Sequence, residues 1–332
     1  MTRPLMPDMT AKFQTHSFTV PPELAGLRLD QALARLLPEH SRSRLKEWIE
    51  AGHVSLENRT PRPRDLVSGG ERIVVNVELT PAQAVAAQAM ELDIVHADEW
   101  LIVVNKPAGL VVHPGAGNRD RTLQNALLHY DAALAALPRA GILHRLDKDT
   151  SGLLVVARTL TAHTALTRQL QARAIEREYE AICTGVLTAG GTIDRAIARH
   201  RTNRVRMAVR DDGREAVTHY RVIERFRAHT HVRVHLETGR THQIRVHFAH
   251  IRHALVGDPT YGGRLLLPRG ATAALIEALR SFPRQALHAA RLKLTHPHFE
   301  REVQWQAPLP TDMKFLLKVL REDARAAQAT RS

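Results

Sequence analysis

Residues 141–158 read GILHRLDKDTSGLLVVAR, and the polar run in the middle sets Asp147 between Arg145 and Lys148. Flanking cations favour the ionised form of a carboxylate, and four kinds of chemistry are open to one placed this way. The plainest is structural: Asp147, Asp149, Thr150 and Ser151 cap and close a turn. The second is an aspartic protease, since Asp149-Thr150-Ser151-Gly152 resembles the D-[ST]-G signature. That chemistry needs two carboxylates sharing a proton; the chain has no second such signature, so a homodimer would have to supply it. The third is a metal site, built from Asp147 and Asp149 or from His247, His250 and His253 at steps of three. Arg145 and Lys148 work against a cation beside those carboxylates. The fourth is a carboxylate acting as nucleophile or base on a nucleic-acid base.

None of these works unless rigid elements hold the loop. Gly152–Ala157 is a short apolar run of strand length, and Ile142-Leu143 reads as the end of another strand. Upstream, WLIVVNKPAGLVVHPG predicts a strand, a turn at Lys106-Pro107-Ala108-Gly109 and a second strand. Downstream, HVRVHLETG alternates over Val232, Val234 and Leu236, a half-buried strand. THQIRVHFAHIRH places Ile244, Phe248 and Ile251 at helical spacing, and RMAVRDDGREAVTHYRVI predicts a hairpin around Asp212-Gly213. The mixture is α+β with a largely antiparallel sheet.

A smaller α+β unit precedes it. Leu29, Leu33 and Leu36 share one helical face; a second helix follows, with Ser41 or Ser43 as N-cap, an apolar stripe of Leu45, Trp48 and Ile49, and Gly52 as its stop. Two short strands, HVSL and ERIVVNV, complete it. Arg42 and Lys46 lie four apart on the solvent side of the second helix with Arg44 beside them, which fits a solvated edge and an RNA-facing one alike. The expected division is a mobile tail (1–15), the small domain (16–80), an Ala/Gln-rich linker (81–92), the large domain (93–320) and a C-terminal tail (321–332).

Charge narrows the partner. The chain has 332 residues and a formal net charge of +13, which points to a polyanion, most often nucleic acid. Residues 1–92 carry 11 Lys and Arg against 11 Asp and Glu, and residues 93–332 carry 36 against 23, so the whole excess lies on the larger unit. Cys183 is the sole cysteine; it excludes an internal disulfide framework and a multi-cysteine metal site, and it reads as a small buried residue. No run has signal-peptide or membrane-span character, so a soluble cytoplasmic protein is expected. Aromatic residues make up 4%, too few for a stacking platform of the single-strand-binding type.

Six stretches taken together carry a resemblance. HRLDKDTSG, NKPAGLVVHPG, REYEAICTG, ETGRTHQIRVH, VGDPTYGG and QALHAARL, spread over residues 93–300, resemble the RluA-type family of RNA pseudouridine synthases. The front stretch LRLDQALARLLPEHSRSRLKEWIEAGHVSLEN resembles the small RNA-binding domain named after protein four of the small ribosomal subunit. That pairing, with IARH, RMAV and AVTHYRV, looks most like the family's D-type branch, which acts on large-subunit rRNA.

The resemblance implies a pseudouridine synthase fold with a central cleft, no cofactor and no metal, and a monomer acting on 23S rRNA of the large subunit or its precursor, in the loop of helix 69. Paralogues modifying other rRNA uridines, and an RNA-binding assembly factor without chemistry, are the alternatives. Asp147 then corresponds to the family's catalytic aspartate, Arg245 to the cation that pairs with it, and Tyr179 to the tyrosine that stacks on the base. The target must be flipped out of folded RNA; Arg145 corresponds to the side chain that fills the gap, with His144 beside it on the RNA side. Lys106, Arg240 and arginines 199, 201, 204, 206 and 210 are candidate phosphate contacts. Leu287 is expected to line the uracil pocket, and Arg42, Arg44 and Lys46 to meet RNA from the front domain. Arg177 stands where many relatives have lysine.

Overall fold

Successive residues of a strand face opposite sides of its sheet, so an unbroken apolar run forms a strand only where both faces are covered. The computed structural model, which describes residues 13–37, 42–78, 85–115, 117–203 and 205–329, has this arrangement at its centre. The chain divides into two units, residues 1–84 and 85–332.

In the first unit, β1 (Phe13–Thr19), β2 (Val54–Leu56) and β3 (Arg72–Glu78) form an antiparallel sheet in the order β1-β3-β2. Its core joins Ile73, Val75 and Leu56 to Leu29 and Leu33 of α1 (Leu29–Leu36) and to Leu45 and Ile49 of α2 (Arg42–Glu50). Gly52, in the left-handed region at φ 80°, follows α2. The side chain of Asp30 is buried and accepts hydrogen bonds from the guanidinium groups of Arg28 and Arg42.

The second unit contains β4 (Ile94–Ala97), β5 (Leu101–Lys106), α3 (Leu123–Tyr130), β6 (Ser151–Ala157), α4 (Leu160–Gln171), β7 (Glu176–Thr184), β8 (Gly191–Asp194), β9 (Ile197–Arg199), β10 (Met207–Val209), β11 (Val217–Arg225), β12 (His229–Leu236), α5 (Gln243–His250), α6 (Ala273–Ser281), β13 (Leu287–Thr295), β14 (Glu302–Gln306) and α7 (Thr311–Ala329). The main sheet runs β4-β5-β6-β13-β7-β12-β11-β8, with β14 also paired to β13. Its pairings are antiparallel except β6 with β13, which run parallel through His288–Ser151 and Ala289–Gly152. All of β6 is buried. Leu154 and Val156 join the core that holds Leu123 and Leu127 of α3, while Leu153 and Val155 join the one that holds Ala162 and Leu166 of α4.

Several local readings of the sequence change. Residues 110–115 form no strand after the turn at 107–109, and Ile142 makes a single bridge to Val156 in place of a strand end. The stretch around Asp212-Gly213 does not close a hairpin, because β10 pairs back onto β9 while β11 pairs with β12 and β8. Residues 13–15 belong to β1, and 321–329 continue α7, so neither is tail. Residues 86 and 88 hydrogen-bond Asn125, which puts the end of the expected linker inside the second unit. Ser41 lies outside the described residues, as does the side chain of Ser43. No described helix is long and apolar enough to cross a membrane.

Candidate active site

The loop that carries Asp147 enters β6 where β6 meets β13. Gly152 sits there at φ +114°, and a Cβ on it would lie 2.3 Å from the carbonyl oxygen of Ala289. Only glycine fits both the conformation and the approach, which accounts for the glycine closing the HRLDKDTSG stretch. The loop folds back on itself through Thr150 N–H to the Asp147 carbonyl, at 3.1 Å.

Two buried cations hold its backbone. Lys106 Nζ donates to the carbonyls of Pro107, Leu110 and Lys148 at 2.8, 2.9 and 2.9 Å. Arg284 Nη1 donates to the Asp149 carbonyl at 3.1 Å, while its Nε and Nη2 bind both carboxylate oxygens of Asp312 on α7. Lys106 was the sequence's phosphate contact, and the structure overturns that. Its side chain is 0% exposed, and burial pulls its pKa down to about 7, with Asp149 and Asp147 opposing the fall.

The Asp147 side chain projects into a cleft of about 890 Å³. Its Oδ2 accepts from Arg245 Nη1 at 3.1 Å. Arg245 comes from the first turns of α5 and is itself held by a second aspartate, Asp258, through Nε–Oδ2 at 2.7 Å and Nη2–Oδ1 at 2.9 Å. Asp258 Oδ1 also accepts the main-chain N–H groups of Thr260 and Tyr261, and the Tyr261 ring lies 5.1 Å from the guanidinium carbon. Burial works against the charge on Arg245, but Asp258 and Asp147 together hold its pKa above the ordinary value. A bidentate, buried arginine cannot turn away, so its Nη1 is aimed. That Nη1 meets Asp147.

Tyr179 comes from β7, between Val234 of β12 and Ala289 of β13, and is 5% exposed; burial raises its pKa, with Arg177 opposing. With Leu146, Leu236, Ile244 and Leu287 it gives the cleft an apolar lining. Leu287 also belongs to the main core, so it serves both. Arg139, Arg145, Arg173, Arg177 and Arg240 add cations to the same cleft, and Arg173 is paired with Glu215 and Glu237. A low-dielectric floor under cations concentrates field on an entering polyanion.

Arg145 is exposed and lines both this cleft and a second one of about 860 Å³, which shares Leu146, Asp147, His242 and Arg245 with the first. Asp147 therefore stands on the wall between two hollows. His144 is less open than a group on the RNA side would be. Its Nε2 accepts from Val155 N–H at 3.2 Å, and burial, reinforced by Arg177, lowers its pKa to about 3.

The arginine ribbon is a separate element, β9 with β10. Arg199 and Arg201 are exposed on it, Arg206 packs 5.3 Å from the Tyr261 ring, and Arg210 is tied to the Arg199 carbonyl and to Asp212. Arg204 lies outside the described residues. In the first unit, Arg42 and Lys46 are exposed but paired, with Asp30 and with Glu50; the Arg44 side chain is not described. His247 is fastened to Thr218 and to the Arg195 carbonyl, and His253 to the Thr184 carbonyl. Among the described residues no three His, Cys, Asp or Glu side chains converge as a metal site. Cys183 is buried and donates to the Thr230 carbonyl at 3.5 Å.

Sequence reasoning did not single out Asp258, Tyr261 and His242, which surround Arg245 and Asp147 in the structure. All three stood within quoted stretches, VGDPTYGG and ETGRTHQIRVH, but nothing in one sequence says that these two stretches meet.

Comparison with known proteins follows the same division. Residues 100–250 match the family described as RNA pseudouridylate synthase, and residues 27–73 match the S4 domain. The chain is 57% identical over 307 residues to the ribosomal large subunit pseudouridine synthase D of Pseudomonas aeruginosa, covering 92% of this chain and 96% of that one. It is 55% identical over 306 residues to the protein of the same name from Escherichia coli strain K12, covering 92% and 94%. Among solved structures, human RNA pseudouridylate synthase domain containing 4 superposes with a TM-score of 0.55 at 27% identity, over 69% of this chain and 92% of that one.

Proposed function

The chain belongs to the RNA pseudouridylate synthase family, and on that premise we propose that it converts uridine to pseudouridine in 23S rRNA of the large ribosomal subunit, in the stem-loop of helix 69, with Asp147 as the acting carboxylate. That the protein is an RNA pseudouridine synthase follows from relatives more than half identical over nine-tenths of its length. The large-subunit substrate is carried over from the names of those relatives. The choice of helix 69 rests on the resemblance of the sequence to the same branch.

The isomerisation breaks the bond from the uracil ring nitrogen to the sugar, turns the detached base and rejoins it through a ring carbon. The ring carbon gives up a proton and the ring nitrogen gains one, so composition is unchanged and no redox partner is needed. Two physical demands follow: a carboxylate at the sugar–base junction, as nucleophile or as base, and a pocket that keeps the free uracil from leaving. Asp147 meets the first in this reading. Tyr179, Leu287 and Leu236 meet the second by covering the face of the base. Arg145 occupies the gap left in the stack, and Arg240, Arg199, Arg201 and Arg206 take phosphates.

The observation that carries the proposal is the aimed pair, Asp147 Oδ2 against Arg245 Nη1 at 3.1 Å, standing over an apolar floor inside a basic cleft. The deciding experiment is carbodiimide mapping of pseudouridine in 23S rRNA from cells lacking the protein, before and after re-expression of wild type and of Asp147→Asn. Loss in the helix 69 loop, restored by wild type alone, supports substrate and residue together. Loss at other uridines would move the substrate, and no loss in any RNA would leave an assembly factor.

A further inference from the structure

A carboxylate has two oxygens, and Arg245 satisfies one of those on Asp147. The other, Oδ1, faces Nε2 of His242 at 3.9 Å. His242 occupies the N-cap position of α5 in the left-handed conformation, at φ 56°. A non-glycine residue adopts that region at a cost, and such strain is often kept where a side chain must be aimed.

The other ring nitrogen decides what Nε2 can do. His242 Nδ1 lies 2.8 Å from the Tyr261 hydroxyl, and the same hydroxyl accepts the main-chain N–H of Met207 at 2.8 Å. An amide N–H only donates, so the phenol oxygen is already an acceptor there. If Nδ1 also donated to it, the phenol's own proton would be left without an acceptor, on a residue 8% exposed. The consistent arrangement is Met207 N–H to Tyr261 O, then Tyr261 O–H to His242 Nδ1. A neutral imidazole then carries its hydrogen on Nε2, pointed at Asp147. The groups around the ring agree with a neutral state: burial lowers its pKa, Asp147 opposes, Arg245 reinforces, and Asp258 and Arg145 act more weakly in opposite senses.

We propose that His242 is a positioning residue for the isomerisation proposed above, held as the Nε2–H tautomer by Tyr261 so that it donates to Asp147 Oδ1 while Arg245 donates to Oδ2. At 3.9 Å the two atoms stand beyond hydrogen-bond length, and catalytic hydrogen bonds of this kind commonly tighten when substrate binds. Two donors on two oxygens fix the plane of the carboxylate, where one donor leaves it free to rotate. The relay begins at Met207 in β10, next to Arg206, so the ribbon that offers arginines to RNA also supplies the first hydrogen bond in the line.

Two measurements test this. The first needs no RNA: ¹⁵N spectra of histidine-labelled full-length protein at neutral pH, with His242 assigned by His242→Gln. A hydrogen on Nε2 in wild type, giving way to a mixed population in Tyr261→Phe, is the expected result. A hydrogen on Nδ1 in wild type overturns the relay. The second is pseudouridine formation on a transcript of the large-subunit stem-loop. Tyr261→Phe lowers kcat on the order of 10- to 100-fold, with a smaller change in KM, and His242→Gln, which keeps an N–H near the Nε2 position, retains more turnover than His242→Ala. Equal losses in Gln and Ala, or unchanged kcat in Tyr261→Phe, would defeat the proposal. Should Tyr261→Phe not fold, the wild-type tautomer and the Gln–Ala pair still decide. A wild-type protein with no activity on any rRNA would defeat the functional reading, and the tautomer would be judged separately.

Discussion

Arg245 and Arg284 grip the same loop with the same chemistry and to different ends. Each is about 5% exposed, and each binds both oxygens of an aspartate through Nε and Nη2: Asp258 for Arg245, Asp312 for Arg284. They differ in what the remaining Nη1 meets. For Arg245 it is the Asp147 carboxylate. For Arg284 it is backbone, the carbonyls of Asp149, Gln285 and Leu287 at 3.1, 3.1 and 3.2 Å. In the proposed reaction the first clamp would orient the acting carboxylate, while the second anchors the chain that carries it. In that reading, one ion-pair design serves chemistry or stability according to what its Nη1 meets, and the two should separate under mutation.

The sharpest break is at the group the first clamp serves. Asp147→Asn keeps the size and the contact to Arg245 but has no charge to offer, and turnover should fall by about 10³-fold or more while rRNA affinity stays within a few-fold. Normal turnover in single-turnover assays would remove Asp147 from the chemistry. Next is Arg245→Lys. A lysine keeps the charge but cannot bind Asp258 at two points and Asp147 at a third, so kcat should drop on the order of 10²-fold with little change in fold. A variant with full kcat would mean that Asp147 needs only a nearby cation and not an aimed one. Arg284→Met is the counterpart. It should cost about 3 kcal/mol in chemical denaturation, the lower end for a broken buried pair because Asp312 is about a third exposed, with turnover per folded molecule within a few-fold. If its kcat fell as far as that of Arg245→Lys, the division between the clamps would be wrong.

How much of this was legible before the fold was known differs by residue. Asp147, Tyr179 and Arg245 each stand inside a recognisable stretch, and the strand at 151–157 declares itself because both its faces are buried. Asp258, Tyr261 and His242 lay in plain view but without partners, since their contacts join distant segments, as between Met207 and Tyr261 and, farther apart in the chain, between Asp147 and His242. Arg284 was harder still: its contact to the Asp149 carbonyl spans 135 residues and uses backbone, which has no side-chain signature. Lys106 misled for a physical reason. A lysine beside a Pro-Ala-Gly turn between two strands belongs at the surface, but the second strand does not form, and the chain folds over the ammonium group. The expected hairpin at 206–223 failed in the same way, because turn residues announce a turn and not which strand the chain returns to.

Lys106 offers the finest test, because its effect should run in two directions at once. The unfolded chain holds this proton up to the ordinary lysine value of 10.5, while the folded protein gives it up at about 7. Between those values the unfolded state binds more protons, so stability rises with pH across that window and gains nothing from this group below it. The neutral amine, however, has two N–H groups for three carbonyls, those of Pro107, Leu110 and Lys148. One carbonyl must lose its donor, and where that is Lys148 the residue next to Asp147 is loosened. The fold should become more stable from pH 7 upward as turnover declines. In Lys106→Met both trends should flatten, with a lower kcat at all pH values, and parallel melting and single-turnover profiles of wild type and variant read the two together. A wild-type stability slope that survives in the variant would assign the titration to another group. A turnover decline that survives alone would mean that the Lys148 carbonyl, which also accepts from Gly109 N–H at 3.0 Å, is held well enough without the lysine.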